Sequence, residues 1–262
     1  MKIRFFAFLC LLLLAACRPE VGYEPPASPG AGEQLSGDAT IFAAASLTES
    51  FQEIGEAFED ANPPTELVFN FGASSGLATQ VAEQGGADVF ASADQANMAK
   101  VTDKDLLEES PEVFAQNRLE IIVAPGNPKG IKGLADLAGS GVKVVLAAPE
   151  VPVGRYAREA LEKAGVTVKP VSEAVDVKGV VGPVTLGEAD AGIVYATDVR
   201  AAGDKAEGVE VPEDQNVTAE YPIGLVKDGG NPQVGRAFIG FVLSDQGQKI
   251  LTDHGFGSPR RS

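Results

Sequence analysis

The sequence predicts a mixed α/β protein of two lobes, with one set of β-α units inserted into another. Three observations carry that prediction. Short apolar segments of strand length alternate with segments of helical periodicity from residue 39 onward. Glycine is abundant (30 residues), tryptophan is absent and aromatics are 6%, which suits tight strand–helix junctions better than an all-β sandwich. Hydrophobic content is 44%, sufficient for a sizeable core.

The first elements are not part of the fold. Lys2 and Arg4 form a charged start, and Ile3 to Leu14 is a nearly continuous apolar run. The run is short for a membrane span and right for the core of a secretory leader. It ends Leu14-Ala15-Ala16-Cys17, which resembles a bacterial lipobox. That resemblance implies a leader over residues 1–16, cleavage before Cys17, and lipidation of Cys17. Two or three acyl chains hold a protein stably on a membrane where one does not. Residues 17–37 follow, with Pro19, Pro25, Pro26 and Pro29 among Gly, Ser and Glu, and they read as a flexible tether. The expected location is the extracytoplasmic face of a membrane.

The folded part is expected as residues 38–262, roughly 225 residues, enough for one large or two small domains. Ala39–Ala45 reads as a buried strand. Ser46 opens a helical pattern with Leu47, Phe51, Ile54 and Phe58 on one face, stopped by Asn62-Pro63-Pro64. Glu66–Phe71 is a second strand, leading through Gly72–Gly76 into helix Leu77–Gln84, and Ala87–Ala91 is a third strand. This is the β-α-β-α-β order of a parallel sheet with crossover helices. Arg118–Ala124 is a strong strand closed by Pro125 and Gly126. Further on come strand Val142–Ala147, helix Pro152–Gly165, strand Val166–Val171, helix Asp176–Leu186 and strand Ala191–Tyr195. Ala219–Val226 runs back, and Asn231–Asp253 forms one or two terminal helices. The lobes are therefore expected as 38–124 and 220–262 for the first and 125–219 for the second.

Charge narrows the function. The net charge is −16, and loss of Lys2 and Arg4 with the leader makes it −18. Nucleic acid is excluded as a partner, because counterion release needs a basic face. An acidic surface also gives an anion no long-range attraction, so any anionic ligand must be held by short-range hydrogen bonds. Both cysteines, Cys10 and Cys17, precede the fold, and His254 is the single histidine. Disulfides, thiolate chemistry and multi-histidine metal sites are thereby excluded from the folded part. Asp88 and Asp94 offer two carboxylates near a strand end, but a loop cap accounts for them more simply than a cation site.

One constellation remains. Ser46 and Ser74 each follow a strand and precede a helix, where a hydroxyl and free N–H groups can point the same way. Each alone reads as a helix cap; two at matching junctions suggest a shared anion. Val153 and Val177 start later helices and can offer only backbone N–H groups. Tyr195 ends a buried strand and can offer a hydroxyl. Ligands in open α/β sheets bind beyond the carboxyl ends of strands, at helix N-termini.

Several segments together carry a family resemblance. They are FAAASLTESFQEI (Phe42–Ile54), FGASSGLATQV (Phe71–Val81), ADVFASADQANM (Ala87–Met98), NRLEIIVAPGNP (Asn117–Pro128), PEVPVGRYAREAL (Pro149–Leu161), VDVKG (Val175–Gly179), GEADAGIVYATD (Gly187–Asp198) and YPIGLV (Tyr221–Val226). In this order they resemble the periplasmic molybdate-binding proteins of the type II periplasmic binding fold. The resemblance implies two mixed, mostly parallel sheets flanked by helices, with a ligand cleft between the lobes. It implies molybdate or tungstate as the ligand, an ABC importer's permease as the partner, a monomer, no cofactor and no free metal cation. Carried over residue by residue, it assigns the oxyanion to Ser46 and Ser74, to the N–H groups of Val153 and Val177, and to the Tyr195 hydroxyl. Val153 stands where many relatives have alanine, and Gly179–Leu186 departs from the usual helix-forming stretch. Two other readings stay open: a binding protein for another tetrahedral oxyanion such as sulfate, and a serine-dependent enzyme. The enzyme reading lacks a GxSxG elbow around either serine.

Overall fold

Strand β1 (Gly37–Ala44) leads through a 3-10 turn (Ala45–Leu47) into helix α1 (Thr48–Ala61) in the computed structural model, which describes residues 35–259. The expected leader, Cys17 and almost all of the tether lie outside the described residues. Helix α1 forms where Phe51, Ile54 and Phe58 fall on one face, each at most 1% exposed. Pro63 and Pro64 cannot continue it. Strand β2 (Thr65–Gly72), helix α2 (Ser74–Gln84), strand β3 (Val89–Ala91) and helix α3 (Gln95–Thr102) complete the first run. The long strand β4 (Glu112–Val123) follows, then β5 (Val144–Ala147), α4 (Pro152–Lys163), β6 (Ser172–Ala174), α5 (Lys178–Thr185), β7 (Ala191–Tyr195), α6 (Ala196–Ala202) and β8 (Glu207–Glu210). Strand β9 (Thr218–Leu225) returns, and α7 (Pro232–Leu243) and α8 (Asp245–Asp253) close the chain.

The strands order as β2-β1-β3-β9-β4-β7-β5-β6, with β8 also on β4. Parallel pairs lie on the two flanks, β2-β1-β3 and β7-β5-β6. Antiparallel pairs join them through β9 and β4. Strand β4 changes partners along its length: Glu112–Arg118 pair with β9, and Leu119–Val123 pair with β7. The chain therefore passes from one half of the sheet to the other inside a single strand, and the two expected sheets share it.

Besides the 3-10 turn at Ala45–Leu47, where a helix is expected to open, two further elements depart from expectation. Residues 166–171 do not form a strand. Pro170 has no N–H to donate, so pairing with β5 starts beyond it, with Val171 bonding Val144 and β6 running Ser172–Ala174. Helix α5 begins at Lys178 rather than Asp176, because the Asp176 carboxylate accepts the Gly179 N–H and caps the first turn. Beside α1, the Phe51 ring packs against those of Phe114 and Phe238 with centroids 5.6 and 5.7 Å apart. Each such burial stabilises by about 1.5–3 kcal/mol over exposure.

Candidate ligand-binding site

The register of the first parallel pair sets the site. Ala44 lies opposite Gly72, so Ser46 and Ser74 each stand two residues beyond the last paired rung of β1 and β2. Strands β5 and β7 are also parallel, which turns the Tyr195 end of β7 and the start of α4 toward one edge of the other half. The structure brings Ser46, Ser74, Val153, Val177 and Tyr195 together as walls of one narrow cleft. Among the described residues no lysine or arginine lines it, and the one carboxylate that does, Asp176, is turned to the Gly179 N–H.

Neither serine is a helix cap. Ala73 precedes α2 and Leu47 precedes α1, and no side chain accepts at either position. The Ser74 oxygen instead accepts the Ala93 N–H at 3.0 Å, leaving its proton to be donated elsewhere. The Ser46 hydroxyl hydrogen-bonds the Tyr221 hydroxyl at 2.9 Å. Helix α4 has Val151 as its cap and Pro152 first, so the Val153 N–H falls in the first turn, where helical N–H groups lack intrahelical acceptors. Gly154 permits this approach: a Cβ there would sit 2.1 Å from the Ala148 carbonyl oxygen and 2.4 Å from that of Ala147. Val177 is the N-cap residue of α5, immediately before Lys178.

Tyr195 is 1% exposed and its hydroxyl makes no hydrogen bond in the structure. A buried hydroxyl without a partner costs free energy comparable to a lost hydrogen bond. Burial raises its pKa well above the ordinary 10, so it remains a neutral donor.

Apart from Asp176, the charged groups near the cleft lie around it rather than in its walls, and their pairings have no local sequence signature. Arg155, two residues past Val153, bonds the fully buried Asp94 carboxylate at 2.7 Å. Asp94 also caps α3 through the Asn97 N–H, so the expected cap is present and carries an ion pair as well. Lys178, next to Val177, pairs with Glu49 of α1 at 2.8 Å and lies 3.4 Å from Asp198. Both Arg155–Asp94 and Lys178–Glu49 join one half of the sheet to the other. Burial pushes the Asp198 carboxyl up to about 6, against the opposing pull of Lys178. Asp88 spends its carboxylate on the N–H groups of Thr40 and Asn231. Among the described residues no cluster of three or more His, Cys, Asp or Glu could hold a metal. His254 meets Glu53 at 2.8 Å, away from the cleft walls.

The fold and this cleft, free of lysine and arginine among the described residues, are those of a binding protein of the bilobed periplasmic type. The chain belongs to the bacterial extracellular solute-binding proteins, whose family pattern matches residues 39–257. It is 40% identical over 235 residues to the molybdate-binding protein ModA of Mycobacterium tuberculosis H37Rv, covering 90% of each chain. It is 31% identical over 222 residues to a putative ABC transporter substrate-binding lipoprotein, YvgL, of Bacillus subtilis, covering 83% of this chain and 85% of that one. Among solved structures it is similar to the substrate-binding domain of a putative molybdenum ABC transporter from Clostridium difficile. The TM-score is 0.66 at 32% identity, covering 86% of this chain and 100% of the other.

Proposed function

We propose that the protein captures molybdate or tungstate outside the cytoplasm and delivers it, as a monomer, to the permease of an ABC importer. What carries this reading is that Ser46, Ser74, Val153, Val177 and Tyr195, each able to act as a neutral donor, line one cleft with no lysine or arginine among the described residues. Ser46 and Ser74 donate through their hydroxyls, Val153 and Val177 through backbone N–H groups, and Tyr195 through its unpartnered buried hydroxyl. Helix starts and neutral donors hold a dianion without lysine or arginine. Each donor to a charged group contributes about 1.5–3 kcal/mol, so five exceed the cost of association and permit tight binding. Similarity to proteins named for molybdate supports the choice of ligand.

In the same reading residues 1–16 are a leader and Cys17 carries the lipid at the head of the 17–37 tether. Residues 38–124 and 220–262 form one lobe and 125–219 the other, and β4 of the first pairs with strands of both. The likeness to a substrate-binding lipoprotein supports the anchor. The test is calorimetry with molybdate, tungstate, sulfate and phosphate on the wild type and on a Ser46→Ala, Ser74→Ala double variant. Tight binding of the first two, lost in the double variant with its melting temperature retained, is the expected result. Preference for sulfate, or equal affinity for phosphate, overturns the ligand; undiminished binding by the double variant overturns the site.

A further inference from the structure

The two serines receive their hydrogen-bond polarity from different sources. The Ser74 oxygen accepts from the Ala93 N–H, a backbone donor that cannot reverse its role. The Ser46 oxygen faces only another hydroxyl, that of Tyr221 on β9, at 2.9 Å across 175 residues of sequence. Either hydroxyl of such a pair can donate; the Asn117 and Tyr195 side chains also neighbour the Tyr221 hydroxyl, and within the Ser46–Tyr221 pair relative acidity sets the direction. A phenol is the stronger acid and its oxygen the weaker base, because its lone pair is delocalised into the ring. Tyr221 is fully buried, and burial holds it in the protonated form at any physiological pH.

We infer that Tyr221 is a positioning residue that donates to Ser46 and thereby obliges the Ser46 proton to point at the ligand, making this half of the cleft select fully deprotonated oxyanions. The inference rests on the oxyanion reading of the cleft. With Tyr221 donating, Ser46 meets the ligand as a donor. A ligand oxygen that bears its own hydrogen finds no matching acceptor there, whereas a bare oxyanion finds a proton. Without the phenol, the Ser46 hydroxyl is free to rotate and to accept, and a protonated ligand is accommodated. Selectivity against a hydrogen-bearing phosphate is thus set partly by a residue outside the cleft walls.

Tyr221→Phe isolates the hydroxyl. The ring contacts of Tyr221 with Phe114, Tyr195 and Phe256, at 6.3, 5.8 and 5.4 Å, need no oxygen and persist in the variant. Molybdate and phosphate affinities are measured by calorimetry at pH 7 for the wild type, Y221F, S46A and the double variant, with melting temperatures alongside. Loss of one net hydrogen bond predicts that Y221F binds molybdate about 2- to 10-fold more weakly. Phosphate binding holds or improves, so the molybdate-to-phosphate ratio narrows. In the S46A background the Tyr221 change has no further effect on that ratio, because the group through which it acts is gone. An unchanged ratio in Y221F, or the same narrowing with and without Ser46, overturns the inference while leaving the oxyanion reading intact. Failure of the wild type to bind molybdate overturns both.

Discussion

At the scale of single residues the cleft holds the hydroxyls of Ser46, Ser74 and Tyr195; the Ser74 oxygen already accepts the Ala93 N–H, and burial keeps Tyr195 protonated. Asp198 adds a titrating group behind it. Its folded pKa, about 6, stands above the ordinary 3.8, so the native state binds the extra proton between those values. Its contribution to stability is therefore greatest at low pH and falls as pH rises from about 4 to 6. Melting temperatures of the wild type and Asp198→Asn across pH 4–7 should show the wild type losing ground to the variant over that window; a wild type that gains with pH refutes the assignment. The two serines were legible from sequence because strand–helix junctions have local signatures. Their partners were not. Tyr221 meets Ser46 across 175 positions and Asp94 meets Arg155 across 61, and no local pattern announces contacts made only by tertiary folding.

At the scale of elements, strand β7 occupies the residues its unbroken apolar run predicts, Ala191–Tyr195. The run at Val166–Val171 was just as suggestive and failed, because Pro170 removes the donor a ladder needs. The 3-10 turn at Ala45–Leu47 was read as the opening of a helix, since periodicity alone does not separate a tight turn from an α-helical one. Helix α4 depends on a missing side chain. Gly154→Ala places a methyl against two carbonyl oxygens and must push the helix start off the edge of β5. The expected cost is about 1–3 kcal/mol of stability, read in denaturant melts, together with weakened molybdate binding as the Val153 N–H moves. Retention of both stability and affinity would show that the close approach is not needed.

At the scale of the whole molecule, the fold is that of a bilobed solute-binding protein, and the repeated βα order with a long return made its class readable before any coordinates. The strong negative charge and the lipobox-like Leu14–Cys17 were equally plain. Cys17→Ser should shift the protein from the membrane pellet to the soluble fraction without altering the melting temperature of the folded part; continued sedimentation with membranes argues against the anchor. The charged pairs that bridge the halves have a further consequence, and it is kinetic. Arg155 and Lys178 sit beside the backbone groups of Val153 and Val177, yet their side chains are 42% and 33% exposed and so within reach of dissolved ions. On the proposed reading, added salt is expected to loosen the Lys178–Glu49 clasp more than the pair on the buried Asp94, and so to hasten departure of the ligand. The same salt screens the net negative charge that slows a dianion's arrival. Both rates are expected to rise with ionic strength, which stopped-flow mixing with molybdate across a sodium chloride series checks; rates that ignore salt would show that neither the clasps nor the net charge governs exchange.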